Sequence, residues 1–307
     1  MAEQPDGLIT IQDFVRWGAS RFNAAKLSFG HGTDNAIDEA THLVLSALHL
    51  APALPPGLRE CRLTPAERVA VCELIERRIA ERLPASYLSG RAWFAGLEFT
   101  VNQQVLIPRS PIAELVEAGF DPWIDSERIT RVLDLCTGSG CIGIAAAIYL
   151  PDVDVDLVDI SPAALEIAQH NVAQHHLTDR VQVLESDLFT ALSEHHYDVI
   201  VSNPPYVSRA ELDSLPAEYH NEPALGLFGG EDGLDLVMNI LSVAADYLND
   251  GGILIVEVGN SAPTLESRLP KVPFTWLEFE RGGEGVFLLT RAQLLESQAQ
   301  IDEALRA

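Results

Sequence analysis

Apolar residues recur at helical spacing over roughly the first ninety positions. In ITIQDFVRWGASRF, Ile11, Phe14, Val15, Gly18 and Phe22 share one helix face. IDEATHLVLSALHL continues the pattern after Asp34–Asn35, which can cap its start. LTPAERVAVCELIERRIAERL opens with Thr64 as N-cap, Pro65 at the first helical position and Glu67 three residues after the cap, a capping box. Pro52, Pro55, Pro56 and Gly57 break the chain between these helices. From residue 91 the period becomes two. AWFAGLEFTVN and QQVLIP predict a hairpin with its turn near Asn102 to Gln104, and SPIAELVEAGFDPWI predicts a short helix.

From residue 131 strands and helices alternate. RVLDLC, VDVDLVD, RVQVLES, YDVIVSN and GGILIVEVG read as strands. CIGIAAAIYL, SPAALEIAQHNVAQH (capped by Ser161, started by Pro162) and GLDLVMNILSVAADYL read as helices. FTWLEFE and GVFLLT predict a terminal antiparallel hairpin around Gly282–Gly283. Such alternation predicts an α/β domain, a mostly parallel sheet with helices on both faces. The expected organisation is a helical domain over 1–90, a linking β-hairpin over 91–110 and the α/β domain over 111–307. In these sheets ligands bind beyond the carboxyl ends of the strands, here after Cys136, Val158, Leu184 and Ser202.

Composition narrows the partners. The 307 residues carry 20 Lys+Arg against 45 Asp+Glu, a formal charge of −25. Residues 1–90 are nearly balanced, with 11 acids and 9 bases. Residues 151–257 hold 20 acids and only Arg180 and Arg209 as bases. The acidity argues against a duplex-tracking nucleic-acid binder, which displaces counterions with Lys and Arg. It argues equally against docking on an anionic membrane. An acidic half suits a cationic ligand or a basic protein partner, or serves solubility alone. Cys61, Cys72, Cys136 and Cys141 form no CxxC pair and no zinc-spaced cluster, so reduced thiols in a cytoplasmic protein and no metal site are expected. The start, MAEQPDGLITIQDF, lacks the basic flank and apolar core of a signal peptide, and the apolar stretches are too short to span a bilayer.

The candidate chemistry sits at the strand ends. After the first strand, DLCTGSGCIG matches G-x-G-x-x-G at Gly138, Gly140 and Gly143. Asp134 precedes this loop. A carboxylate there repels a pyrophosphate and suits a sulfonium or ammonium. Asp159, after the second strand, can accept hydrogen bonds from both ribose hydroxyls. Asp152, Asp154 and Asp156 alternate with apolar residues and read as a solvated strand face. After the third strand, Asp187 either meets an adenine amino group, with Leu188 on the ring, or caps a helix. After the fourth stands NPPY, Asn203 to Tyr206. Its adjacent prolines cannot continue a central strand and stiffen the turn instead. The Asn203 side-chain carbonyl and the Pro204 main-chain carbonyl suit the two N–H bonds of a planar amino group, and Tyr206 offers a flat face. His170, His175, His176, His195 and His196 read as surface residues.

DLCTGSG, Asp159 and NPPY in this order resemble a class I S-adenosylmethionine-dependent N-methyltransferase with a Rossmann-like fold: a mostly parallel seven-stranded sheet with a C-terminal antiparallel hairpin. The helical N-terminus, VLIPRSP, NPPYVS and EYHNEPALGLFGGEDGL extend the resemblance over nearly the whole chain, to the protein-glutamine N5-methyltransferases. The release-factor branch, which modifies a GGQ motif, follows its PR with P-[DE]-T-E. Here Pro108–Arg109 is followed by Ser110, Pro111, Ile112 and Ala113. PRSPIAEL and TIQDFVRWGASRFNAAKLSFGHGTDNAIDEA resemble instead the branch that methylates a glutamine of the large-subunit ribosomal protein uL3. The resemblance implies S-adenosyl-L-methionine as cofactor, S-adenosyl-L-homocysteine as product, and a basic ribosomal protein as substrate read by the N-terminal helices. It implies that Asp134, Cys136, Thr137, Gly138, Ser139 and Gly140 hold the methionine part, Asp159 the ribose, and Asp187 and Leu188 the adenine. Asn203 then borders cofactor and substrate, and Asn203, Pro204, Pro205 and Tyr206 clasp the glutamine and carry catalysis. Other readings are the release-factor enzyme, a nucleic-acid exocyclic-amine methyltransferase, a nicotinamide-dependent oxidoreductase and a non-enzymatic ribosome-assembly factor.

Overall fold

The structure is a computed structural model that describes residues 7–192 and 195–306. Residues 1–6 of the start lie outside the described residues. The chain divides into two compact units. One comprises residues 1–92, 101–103 and 216–222; the other comprises 93–100, 104–215 and 223–307.

The first unit is helical: α1 (Ile11–Ala24), α2 (Ala36–Ala47), α3 (Pro65–Glu81) and α4 (Ala85–Ser89). Thr10 and Asp13 form a capping box on α1, Asn35 accepts from the amides of Ile37 and Asp38, and Thr64 and Glu67 form the expected box on α3. The apolar faces meet in a core that includes Phe14, Phe22, Leu43 and Ile75. A Cβ on Gly18 would stand 2.9 Å from Ile75 Cδ1, so glycine there permits the close approach of α1 and α3. Residues 216–222 belong to this unit, although the sequence places them in the α/β domain. Glu218 is fully buried and accepts from the Ser28 amide and from Arg82 Nη1, each at 3.0 Å, with Arg78 Nη1 3.6 Å away. Burial alone would raise its pKa, but these partners more than offset burial and hold it below the ordinary carboxylate range.

The second unit starts in the hairpin β1 (Arg91–Phe94) and β2 (Leu97–Thr100). The turn is Ala95–Gly96, at φ +48° and +72°, the left-handed pair that a two-residue hairpin turn requires. The expected turn near Asn102 to Gln104 is therefore wrong, and QQVLIP pairs in no ladder. The Ala-Gly dipeptide supplies the reversal eight residues earlier, and residues 104–110 run as a loop. There follow α5 (Ile112–Glu117), β3 (Arg131–Leu135), α6 (Cys141–Tyr149), β4 (Asp154–Asp159), α7 (Pro162–Gln174), β5 (Val181–Glu185), β6 (Tyr197–Ser202), α8 (Arg209–Leu212), α9 (Asp235–Tyr247), β7 (Leu248–Glu257), α10 (Ala262–Arg268), β8 (Thr275–Trp276), β9 (Val286–Thr290) and α11 (Arg291–Arg306).

The large sheet runs β5-β4-β3-β6-β7-β9-β8, seven strands with β9 antiparallel to both β7 and β8 and the remaining pairs parallel. This is the α/β arrangement that the alternation predicts, and the mostly parallel seven-stranded Rossmann-like sheet with a C-terminal antiparallel hairpin that the resemblance implies. Successive strand residues feed opposite layers. Val132, Val155, Val199 and Ile253 pack on one side, while Leu133, Ile200, Leu254 and Phe287 pack on the other. Strand order reverses between β3 and β6, which opens a crevice at their carboxyl ends. One strand reading needs correction. Asp152 and Asp154 are exposed, but Asp156 is buried; it accepts from Arg131 Nη2 at 2.8 Å and from the Tyr197 hydroxyl at 2.8 Å. A carboxylate in a doubly covered sheet must be paired, and its partners come from the neighbouring strand β3 and from β6.

Candidate active site

A cavity of about 350 Å³ lies at the carboxyl ends of these strands. One wall is the loop from Cys136 to Ser139. Its backbone is left-handed at Cys136, Gly138 and Gly140, with φ of +57°, +55° and +82°. The Thr137 amide donates to Val158 O at 3.0 Å, and the buried Asn171 amide group donates to Ser139 O at 2.8 Å, so the loop is held against β4 and α7. The glycines have separate jobs. A Cβ on Gly138 would meet nothing within 4 Å, which leaves room for a close ligand. A Cβ on Gly143 would stand 2.2 Å from Leu157 Cδ2, so that glycine lets α6 pack on β4. Gly140 caps α6, where a Cβ would crowd Ile144 at 2.9 Å, and it does not line the cavity.

Asp134 lies beneath the loop rather than on the wall. It is 1% exposed. Its Oδ2 accepts from Thr137 Oγ1 at 2.6 Å and from the Gly143 amide at 2.9 Å, while Oδ1 has no partner. Burial pushes its pKa up to about 7, against the opposing pull of those two donors. Burial also raises the Cys136 thiol, and takes Cys141 up to about 12, which favours the protonated form of both.

Asp159 ends β4 on the cavity wall. Its Oδ2 accepts from the Gly138 amide and its Oδ1 from the Ser161 amide, both at 2.9 Å. Burial raises its pKa. Asp187 and Leu188 line the next stretch, with Leu188 at φ +47°. Turns follow Asp187 rather than a helix, and the Ala191 amide bonds to Ser186 Oγ, so Asp187 caps no helix. Val158, Ile160, Ile142 and Ala164 complete an apolar lining on this side.

The NPPY turn leaves β6 opposite. Asn203 and Pro205 line the cavity; Pro204 and Tyr206 do not. The Tyr206 hydroxyl donates to Glu257 Oε1 at 2.8 Å, and its main-chain oxygen accepts from Ser261 Oγ at 2.9 Å. A Cβ on Gly259 would stand 2.6 Å from the Tyr206 ring, so the ring packs on bare backbone. Tyr206 is thus an anchor of the turn, whereas the sequence alone makes it a stacking face. Residues 104–110 and Pro223, Leu225 and Gly226 form the remaining wall. Sequence reading missed both segments, for they carry no signature beyond PRSP and EPALG. His170, His176, His195 and His196 are exposed, and His175 is half-buried against Phe99 and Glu98 O. Among the described residues no group of His, Cys, Asp and Glu could hold a metal ion, and no helix is long and apolar enough to cross a membrane.

The charge around the cavity tests what fits there. Asp159 and Asp187 face it and Asp134 lies under its loop, with Arg109 the basic residue on its wall. The Gly138 amide, which a pyrophosphate would need, already donates to Asp159. A dinucleotide therefore fits poorly. A nucleoside joined to a cationic chain fits, because a nearby positive charge eases the burial of Asp134. S-Adenosyl-L-methionine has this make-up. Of the lining residues, Asp159 could hold its ribose, Leu188 and Ile160 its base, and Cys136 to Ser139 its amino-acid part.

Comparison with known proteins agrees. The family model "Methyltransferase small domain" matches residues 122–218. A ribosomal protein uL3 glutamine methyltransferase from Xanthomonas campestris pv. campestris is 53% identical over 100% of this chain and 99% of its own. A protein of that name from Xylella fastidiosa is 51% identical over 94% and 93% of the two chains, and another from Francisella tularensis is 48% identical over 95% and 93%. With a methyltransferase sheet, a cavity suited to a cationic nucleoside and relatives matched from end to end, the chain belongs to the ribosomal protein uL3 glutamine methyltransferase family.

Proposed function

We propose that this protein transfers a methyl group from S-adenosyl-L-methionine to the side-chain amide nitrogen of a glutamine in the large-subunit ribosomal protein uL3. The single observation that carries this is the Asn203–Pro205 turn on the same cavity as Asp159 and Leu188. The substrate is the basic protein itself rather than RNA, the setting is the cytoplasm, and the helical unit supplies the surface that reads the substrate. The acidity of residues 151–257 supports a basic protein partner.

When bound, S-adenosyl-L-methionine supplies an electrophilic methyl group on a sulfonium. An amide nitrogen is a weak nucleophile because its lone pair is delocalised into the carbonyl. The Asn203 side-chain oxygen, on the cavity wall, accepts one of its N–H bonds and pushes density back onto nitrogen. Pro204 and Pro205 carry no N–H and fix the turn, so the Asn203 acceptor holds one orientation. Orientation of this kind supplies several kcal/mol. The nitrogen gains the methyl group and loses a proton to water. The test is a panel of purified uL3, release factor and ribosomal RNA with radiolabelled cofactor. Label on uL3 alone is expected; label on RNA or on the release factor alone would refute the assignment.

A further inference from the structure

The two segments facing the glycine loop converge on one buried acid. Glu257 ends β7, whose Val256 pairs with Ser202 at the end of β6, immediately before NPPY. Its side chain is 6% exposed and has two hydroxyl donors. Tyr206 donates to Oε1 at 2.8 Å, and Ser110 donates to Oε2 at 2.6 Å. Ser110 lies on the cavity wall, directly after Arg109, and its hydroxyl also accepts the Ile112 amide at 3.2 Å. Ser110 and Glu257 are 147 residues apart, and Tyr206 and Glu257 are 51 apart. Glu257 itself is not on the wall. A nearly dry carboxylate is costly unless paired. Here two hydroxyls and the positive charge of Arg109 offset that cost in part, and burial still leaves its pKa raised.

We infer that Glu257 is a positioning residue for methyl transfer, a buried strut that sets the NPPY turn and the Arg109–Ser110 segment at a fixed separation on the side of the cavity facing the glycine loop. This inference rests on the proposed glutamine methylation. It assigns Glu257 no proton transfer: the carboxylate accepts from both hydroxyls, and neither oxygen reaches the cavity. Tyr206 transmits the constraint to Asn203 through two stiff prolines. Ser110 transmits it to the adjoining Arg109–Ser110 segment. Asp159, proposed to hold the cofactor, stands on the other side of the sheet's switch point and is bonded there to the Gly138 and Ser161 amides.

The test compares Glu257→Ala, Glu257→Gln and Tyr206→Phe with the native protein, measuring kcat, cofactor Kd and thermal unfolding. Misplacing an acceptor by about 1 Å costs on the order of 100-fold. Glu257→Ala is expected to lower kcat by about that factor while cofactor Kd stays within about threefold. Tyr206→Phe is expected to lower kcat by about tenfold, since one of the two ties survives. Glu257→Gln keeps the shape, with one oxygen accepting and the amide donating to a rotated hydroxyl. It is expected to recover most of the lost turnover. Three results overturn the inference: normal kcat in Glu257→Ala, parallel loss of kcat, cofactor affinity and thermal stability in it, or a Gln variant as slow as the Ala variant, which would make the charge itself the requirement. Turnover of native protein on uL3 is the control that separates this from the function: if it fails, the proposed function fails first.

Discussion

The two walls of the cavity are built by different means. On the β3–β4 side, the carboxylate on the wall accepts backbone amides, Gly138 and Ser161 donating to Asp159, while Asp134 beneath the loop accepts the Gly143 amide and the Thr137 hydroxyl. On the β6–β7 side, side-chain hydroxyls point into one carboxylate, with Tyr206 and Ser110 both donating to Glu257. The first wall is local in sequence and its shape follows from glycine. The second is stitched from three distant segments. A backbone-built wall makes a general nucleoside site. A side-chain-built wall can be re-spaced by single substitutions, which suits the face that holds a particular substrate.

The sharpest way to break this contrast is Asn203→Ala. Removing one preorganised hydrogen-bonding group from a reaction centre costs about 100–1,000-fold. Methyl transfer in a single-turnover assay should fall by that factor, while calorimetry should find cofactor affinity nearly unchanged. Near-normal turnover would dissolve the division of labour. The mirror experiment is Asp159→Ala. Hydrogen bonds to a charged group contribute about 1.5–3 kcal/mol, so cofactor Kd should rise by roughly 10–100-fold, with the loss appearing mainly in KM for the cofactor. A pure kcat effect would move Asp159 to the other wall.

Gly143→Ala probes the packing beneath the first wall. The added Cβ would meet Leu157 Cδ2 at 2.2 Å, and overpacking costs about 1–3 kcal/mol. Denaturant unfolding should show that loss. A further signal is a change of slope with pH. Asp134 titrates at about 7 in the folded chain against a reference of 3.8, so the native state holds its proton longer than the unfolded state. Its contribution therefore favours folding at low pH and is lost as pH rises through that window. Asp134→Asn keeps an oxygen to accept from Thr137 and Gly143. The melting temperature of the variant relative to native protein should rise between pH 4 and pH 7; a constant difference would contradict the buried, protonated carboxyl.

Much of the fold was legible because its signals are local. Thr64–Glu67, Ser161–Pro162 and the strand–glycine–helix unit around Gly138 each state their structure within a few residues. The same holds for the candidate site at Asp159, Leu188 and Asn203, which sit where strand ends must place them. Illegible features depend on register or on distant partners. Asp156 looks like Asp154 in an alternating strand, but strand pairing brings Arg131 and Tyr197 to it alone. QQVLIP has the composition of a strand, yet the Ala95–Gly96 turn has already closed the hairpin. Glu257 reads as the last residue of an apolar strand until Ser110 and Tyr206 arrive from elsewhere. Glu218 follows the same logic, as its partners Ser28, Arg78 and Arg82 precede it by more than a hundred residues.

The measurement that tests the central claim most directly is the mass of uL3 from cells with and without this chain. The account predicts that uL3 from cells lacking it is lighter by one methyl group, that peptide fragmentation places the missing methyl on a glutamine side chain, and that Asn203→Ala does not restore it. An unchanged uL3 mass, or a methyl group lost from ribosomal RNA instead, would contradict it.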